Sequence, residues 1–374
     1  MSFTLGKDFL MDIIQKTFPV VPSRTSLQVL YNFKITIENG TLTITASDLD
    51  NFVRASTTVE GLGDAEIAVN AKKLFEIIRE VENCNITLEI SNNTLFINSD
   101  SGFACSLAGV DLREFPYFPD SGYAESFTIA TDVFRGLVEK SSFAVSKDES
   151  RASLCGVLWE CSADRIGMVA TDGHRLGASF AGYESGISND ISVIVSPKSL
   201  LHILKTAEMS GVDSVRYTFN EKHIVFAVDT FELSTKVIDG PYPDYDKGIP
   251  KEFLKTAIVD RELLHSVVRR VSIFANRKTQ LIKLSFANDS LEISAANREI
   301  IAEGKQTIPS KYSGDEVHTV GFNSAYLLEI LTITNTPTVE FRMNTQVSAV
   351  VILPVLEEPK SDDVFLIMPL RIFE

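Results

Sequence analysis

Apolar residues recur at helical spacing in six stretches of the chain. In 71–82, AKKLFEIIREVE, Leu74, Phe75 and Ile78 fall on one face, and Asn70 precedes them as an N-cap. In 197–209, PKSLLHILKTAEM, the stripe is Leu200, Leu201 and Leu204. Ser196 there takes the cap position, and Pro197 the first helical position, where no N–H is needed. A third helix starts at Ser324, with Asn323 as cap and Leu327, Leu328 and Leu331 as stripe. The caps at 70, 196 and 323 are spaced by 126 and 127 residues. An earlier amphipathic helix keeps the same interval: KDFLMDIIQKTF from Lys7, TDVFRGLVEKSSFA from Thr131 and DRELLHSVVRRVSIFA from Asp260.

Between the helices the period drops to two, in short runs rich in Val, Ile, Thr and Phe. ITLEISNNTLFINS and SVRYTFNEKHIVFAV read as hairpins turning at Asn92-Asn93 and Asn220-Glu221. A strand running into a small polar turn recurs as LTITASDLDN, IGMVATDGHR and LEISAANREI, with Asp48, Asp172 and Asn297 spaced by 124 and 125 residues. Order and spacing agree across three kinds of element, which predicts an α+β chain of three repeated modules at 1–122, 126–250 and 255–374. Each would hold two helices and about eight strands, with breaks near SGYAES and PKEFLK.

A length of 374 residues suits two or three domains, and an apolar content of 44% supplies their cores. Charges interrupt every apolar stretch well before the roughly 20 residues of a membrane helix. Lys7, Asp8 and Asp12 sit in the opening segment, so it does not read as a signal peptide. Cys84, Cys105, Cys155 and Cys161 are scattered without a C-x-x-C pair, so neither a metal site nor a disulfide framework is expected. The expected location is the reducing cytoplasm, with no membrane partner and no cofactor.

The formal charge is −15, yet it is unevenly spread. Segments 7–18, 71–82, 131–144, 197–209, 260–278 and 323–334 hold 14 of the 35 Lys and Arg and 11 of the 50 Asp and Glu. Near-neutral to basic helices in a strongly acidic molecule are what a phosphate-facing surface requires, with acid elsewhere for solubility. Lys72, Lys73, Arg79, Lys198, Lys205, Arg269, Arg270, Arg277 and Lys278 are the natural phosphate partners. With neither a base-reading helix nor interleaved aromatic and basic residues, such binding would be independent of sequence and sensitive to salt. The last helix, 323–334, carries no basic residue.

ATDGHRL at 170–176, DGPYPDY at 239–245, the closing VFLIMPLRIFE and the threefold repeat together resemble the bacterial DNA polymerase III beta subunit, the sliding clamp, from end to end. The resemblance implies a ring-forming, head-to-tail homodimer of three-module chains, with helices lining the hole and β-sheets outside. It implies a non-catalytic processivity subunit that encircles double-stranded DNA. The partners it implies are the replicative polymerase catalytic subunit, the clamp-loader complex, and other polymerases and repair proteins. Arg24 and Lys72 match DNA-contact positions of the family.

A hydrophobic pocket for partner peptides is also implied, formed here by Leu154, Thr171, Gly173, His174, Arg175, Leu176, Pro243, Val347, Leu366, Ile367, Met368, Pro369, Leu370 and Arg371. Met and branched aliphatics suit a groove that serves several partners. The chain departs from the family pattern at Asp246, Lys247 and Gly248 on one wall, and at Ala152 and Ser153, where paired tyrosines are usual. Phe373 and Glu374 extend past the usual end and would crowd the groove. Two other readings are a clamp-fold scaffold that no longer retains DNA and a hydrolase built on Asp172 and His174. The second lacks a third catalytic partner and a G-x-S-x-G elbow.

Overall fold

The computed structural model describes residues 1–119, 126–184, 190–219, 222–297, 299, 301–355 and 362–372. The Asn220-Glu221 turn, most of the SGYAES break, and Phe373 and Glu374 lie outside the described residues.

The six expected helices form as α1 (Lys7–Thr17), α2 (Ala71–Glu80), α3 (Thr131–Ser142), α4 (Pro197–Ser210), α5 (Arg261–Val271) and α6 (Ser324–Ile333). Side-chain oxygens start α2, α5 and α6. Asn70 accepts from the Lys73 N–H at 2.9 Å, Asp260 from Leu263 at 2.8 Å and Asn323 from Ala325 at 2.9 Å. Apolar spacing then fixes which face packs, as Leu74 and Ile78 of α2, and Leu327, Ile330 and Leu331 of α6. Phe75 is half-buried and stacks on Phe18 at 4.7 Å.

Two helical expectations need correction. In α4 the buried set is Leu200, Ile203, Leu204 and Ala207, while Leu201 points to solvent. The stretch 260–278 is helical only to Val271, with a 3-10 turn over Ser272–Phe274. Beyond it the Asn276 carboxamide accepts from the Lys278 N–H at 2.9 Å, an Asx turn that takes Arg277 and Lys278 off the helix.

Three helix cations serve the fold. Lys16 is buried on Asp12 at 2.7 Å, and Lys140 meets the buried carboxylate of Asp363 at 2.6 Å. Arg261 bonds the carbonyls of Leu331 and Thr336 at the C-terminal end of α6.

Contact density divides the chain into two units, which do not follow the repeat. One holds Met1–Phe134 with Lys198–Val237, the other Arg135–Pro197 with Ile238–Glu374. In the first unit, strands Glu60–Gly61, Ser2–Gly6, Asn85–Ser91, Thr94–Ser99 and Ala104–Ala108 form one antiparallel sheet in that spatial order. Asn92 and Asn93, at φ 49° and 54°, make the tight turn expected of that hairpin. A second, eight-stranded sheet joins Phe231–Lys236 to Asn51–Thr58, with Leu233 opposite Val53.

The second unit repeats the plan. Its nine-stranded sheet runs Ile191–Val195, Val157–Cys161, Arg165–Thr171, Arg175–Gly182, Asp362–Ile367, Val350–Pro354, Thr338–Met343, Lys255–Asp260, Lys311–Tyr312. Its four-stranded sheet runs Ala302–Pro309, Ser290–Asn297, Leu281–Ala287, His318–Asn323. One core fills the space among α5, α6 and these sheets and includes Val267, Ile282, Phe286, Phe322, Leu327, Phe341 and Ile367. A second, on the other face of the nine-stranded sheet, holds Leu158, Val169, Leu176, Ile194, Val351 and Leu366 under the segment Ile238–Phe253. No helix of the described residues is long and apolar enough to cross a membrane.

Candidate partner-docking site and basic helix surfaces

The ATDGHRL motif is a tight turn joining Arg165–Thr171 to Arg175–Gly182, held by its own side chains. Asp172, buried, accepts from the backbone N–H of His174 at 2.8 Å and of Arg175 at 3.0 Å, and from Arg175 Nε at 3.1 Å. The Thr171 hydroxyl donates to the Arg175 carbonyl at 2.7 Å and accepts from the Gly173 N–H at 3.1 Å. Gly173 has φ +87°, a left-handed conformation that only glycine takes without strain. Asp172 is thereby committed to shaping the turn, and His174 stands exposed beside it. The pair forms no acid–base couple, and among the described residues no group of three His, Cys, Asp or Glu side chains could hold a metal.

The chain's closing run lies against this turn. Strand Asp362–Ile367 pairs with Arg175–Gly182, placing Ile367 opposite Arg175 and Leu366 opposite Leu176. Met368 then donates to the His174 carbonyl at 2.8 Å. Alternation along a strand sends neighbours to opposite faces, which divides the expected pocket residues. Leu176 and Leu366 share the face packed by Tyr242, while Ile367 enters the core with α6. Arg175 is buried, its guanidinium 4.3 Å from the Tyr326 ring and 5.4 Å from that of Phe143, and ion-paired with Asp172 and Glu329.

Leu154 is buried on the 3-10 turn Ala152–Cys155, whose first residue, Ala152, is exposed. Gly173, His174, Pro243, Val347, Met368 and Arg371 are the exposed members, and Thr171, Pro369 and Leu370 are half-buried. The backbone bonds bring Thr171, Gly173, His174, Arg175, Leu176, Leu366, Ile367 and Met368 together.

Sequence reasoning missed the residues that hold this surface in place. The Tyr242 hydroxyl accepts from the Thr171 N–H at 3.0 Å, and burial pushes its pKa up to about 12. Tyr245 donates to Glu160 at 2.6 Å, and burial together with that carboxylate raises its pKa as well. The two tyrosines pin the segment around Pro243 over a cavity of about 400 Å³ bounded by Leu158, Ile194 and Glu160. The repeated Tyr in PYPDY was the available signal, since buried tyrosines seek a partner for their hydroxyl. Asp246, Lys247 and Gly248 form an exposed 3-10 turn, where Lys247 pairs with Asp244 and Lys251 with Asp246.

All eight expected DNA contacts, Arg24, Lys72, Lys73, Arg79, Lys198, Lys205, Arg269 and Arg270, have exposed side chains. Lys72 and Lys73 share Glu76, which their proximity holds below the usual carboxylate range, with the Lys73 hydrogen bond the largest cause. Arg79 pairs with Glu80 at 2.9 Å and Lys198 with Asp48 at 3.5 Å. Lys72, Lys73 and Lys198 lie in the first turn of their helices, where the helix dipole is positive and cations are unfavourable by about 0.3–1 kcal/mol each. An approaching anion removes that penalty. Arg269 and Arg270 occupy the last turn of α5, which suits the dipole without any ligand.

Three sequence models tile the chain in order: the N-terminal domain of DNA polymerase III beta subunit over residues 1–119, its central domain over 128–244 and its C-terminal domain over 247–371. The chain belongs to the DNA polymerase III beta subunit family. It is 28% identical to the beta sliding clamp of Pseudomonas aeruginosa and 26% to that of Escherichia coli K12, covering 100% of each protein in both cases. A crystal structure of the P. aeruginosa beta subunit superposes with TM-score 0.91 at 27% identity, covering 99% of this chain and 100% of that one. Another P. aeruginosa clamp structure, at 28% identity and TM-score 0.91, is bound to griselimycin. The beta subunit family supplies a non-catalytic processivity component of the polymerase, so the chain is not an enzyme.

Proposed function

We propose that the chain is a DNA sliding clamp that encircles duplex DNA, tethers the replicative polymerase, and recruits the clamp loader and other replication and repair proteins through the surface around His174 and Met368. The observation that carries this reading is the ordered match of all three beta-subunit domains along the chain. The functional modules are 1–122, 126–250 and 255–374, and the site of action is the cytoplasm. Two chains close head to tail, by a contact between unlike surfaces that must complete a circle. Ala104–Ala108 and Ala302–Pro309 support that closure, because each ends its sheet with an unpaired edge among the described strands. Exposed apolar side chains lie nearby, Phe96 and Phe103 in one unit, Ile273 and Phe274 in the other.

DNA is held by topology, with Arg24, Lys72, Lys73, Arg79, Lys198, Lys205, Arg269 and Arg270 meeting phosphates without reading sequence. The observed helices keep a slight positive balance, 12 basic against 9 acidic residues, within a chain of charge −15. Partner peptides dock on Leu154, Thr171, Gly173, His174, Leu176, Pro243, Val347, Leu366, Met368, Pro369, Leu370 and Arg371, with Arg175 and Ile367 supporting from behind.

The deciding experiment is loading onto nicked circular DNA with a clamp loader, followed by gel filtration before and after the circle is cut. Co-elution that is lost on linearisation is the expected result. Failure to stay on circles, with the loader active on another clamp, would favour the scaffold that no longer retains DNA. The uncharged-to-acidic α6 and the Ala152-Ser153 pair are the features that fit that second reading.

A further inference from the structure

The closing run is tied down at two points within its unit. Met368 donates to the His174 carbonyl at 2.8 Å, and two residues on, Leu370 donates to the Gly321 carbonyl at 2.8 Å. Pro369 between them has no N–H to offer. The first tie reaches the turn of the nine-stranded sheet; the second reaches His318–Asn323, an edge strand of the four-stranded sheet. That strand ends in Asn323, the N-cap of α6.

Gly321 is buried and lies in an ordinary strand conformation, outside the left-handed region. Its backbone angles therefore suit any residue, and only space demands glycine. A Cβ there would lie 2.8 Å from the Leu370 carbonyl oxygen, 2.9 Å from Leu281 Cδ1 and 3.0 Å from Ile372 Cγ1. Leu281 Cδ1 is the far end of a side chain, whereas the Leu370 carbonyl is backbone and moves only if the run moves.

We propose that Gly321 is a positioning residue of the docking site: lacking a side chain, it admits Leu370 to the strand and so fixes the wall formed by Met368, Pro369 and Leu370. It acts through Leu370 and touches no ligand. This rests on the reading that partners dock around Met368. A site of this kind binds well only if its wall is already in place, because ordering it on binding subtracts from affinity.

The test uses the full chain, griselimycin as the probe and Gly321→Ala, with Met368→Asp as the control that binding occurs at this surface. The alanine variant is expected to fold and to bind griselimycin about tenfold more weakly. Its Leu370 amide is expected to shift in ¹⁵N spectra and to exchange faster with solvent. A role in stability alone would lower the melting temperature and leave affinity and the Leu370 amide unchanged. An ester in place of the Pro369–Leu370 amide, made by joining the closing run as a synthetic peptide with the α-hydroxy analogue of leucine at 370, deletes the same donor, keeps the Leu370 side chain and does not crowd Gly321, so it decides the question if the alanine variant does not fold. Wild-type affinity in either folded variant overturns the proposal. If the unaltered chain does not bind griselimycin, or Met368→Asp binds it equally well, the docking-site reading itself fails, and that failure shows without any change at Gly321.

Discussion

Replacing Asp172 by Asn and by Ala measures how much of the docking turn depends on one carboxylate. One oxygen accepts the His174 and Arg175 backbone N–H groups at 2.8 and 3.0 Å, while the other meets Arg175 Nε at 3.1 Å. Both side chains are almost fully enclosed, so solvent replaces little of what is removed. Alanine loses all three bonds and leaves the buried guanidinium with Glu329 and the rings of Tyr326 and Phe143. Hydrogen bonds to a charged group contribute roughly 1.5–3 kcal/mol each and are not additive within one network, so a loss of about 4 kcal/mol is expected. Asparagine keeps an oxygen for the two backbone donors but cannot neutralise Arg175, and a loss of about 2 kcal/mol follows. Urea unfolding followed through the tyrosines of this unit gives both values. Stimulation of the replicative polymerase should fall in the same order, since the turn carries Gly173 and His174. Equal losses for the two variants, or a loss below about 1 kcal/mol for alanine, would refute the assigned role of the carboxylate.

Three other outcomes are expected. The partly buried His202 meets the Lys16 carbonyl at 2.7 Å, and burial lowers its pKa from the ordinary value despite that bond. It takes a proton less readily when folded than when unfolded, so stability is complete above about pH 7 and falls as pH drops below roughly 6.5. His202→Gln should lose less stability than the unaltered chain between pH 7.5 and 5.5 in urea titrations, and equal losses would count against this account. Charge reversal of Lys72 and Lys73 should shorten retention on circular DNA and reduce the salt-dependence slope by about 2, whereas an unchanged slope would remove them from the phosphate contacts. Ending the chain before Met368 deletes both ties, to His174 and Gly321, and should abolish polymerase stimulation while dimers persist by ultracentrifugation. Retained stimulation would show that the closing run is not part of the docking surface.

The sequence by itself determined what depends on near neighbours. Helix caps at Asn70, Asp260 and Asn323, the apolar spacing of α2 and α6, and the Asn92-Asn93 turn are all set within a few residues. The repeat was legible for the same reason, since three similar stretches fold by the same local rules. Even the tight form of the ATDGHRL turn lies in its own Asp, Thr and Gly.

Which strands meet, and which face of each becomes covered, only the tertiary structure decided. Phe231–Lys236 pairs with Asn51–Thr58 across 178 residues at Arg54–Glu232, and nothing local to either strand selects the other. Such pairings carry the central repeat into two units, so the packing boundary cuts through a module that reads as continuous in sequence. The docking residues show the same limit. Arg175 and Leu176 are adjacent in the motif, yet one is enclosed against α6 and the other packs under Tyr242, because a strand turns successive side chains to opposite faces. Leu201, apolar and in phase with its helix, remains exposed because the packed face of α4 lies along Ile203 and Ala207. A one-dimensional pattern gives the period of burial, but its phase is fixed by the partner that arrives from elsewhere in the chain.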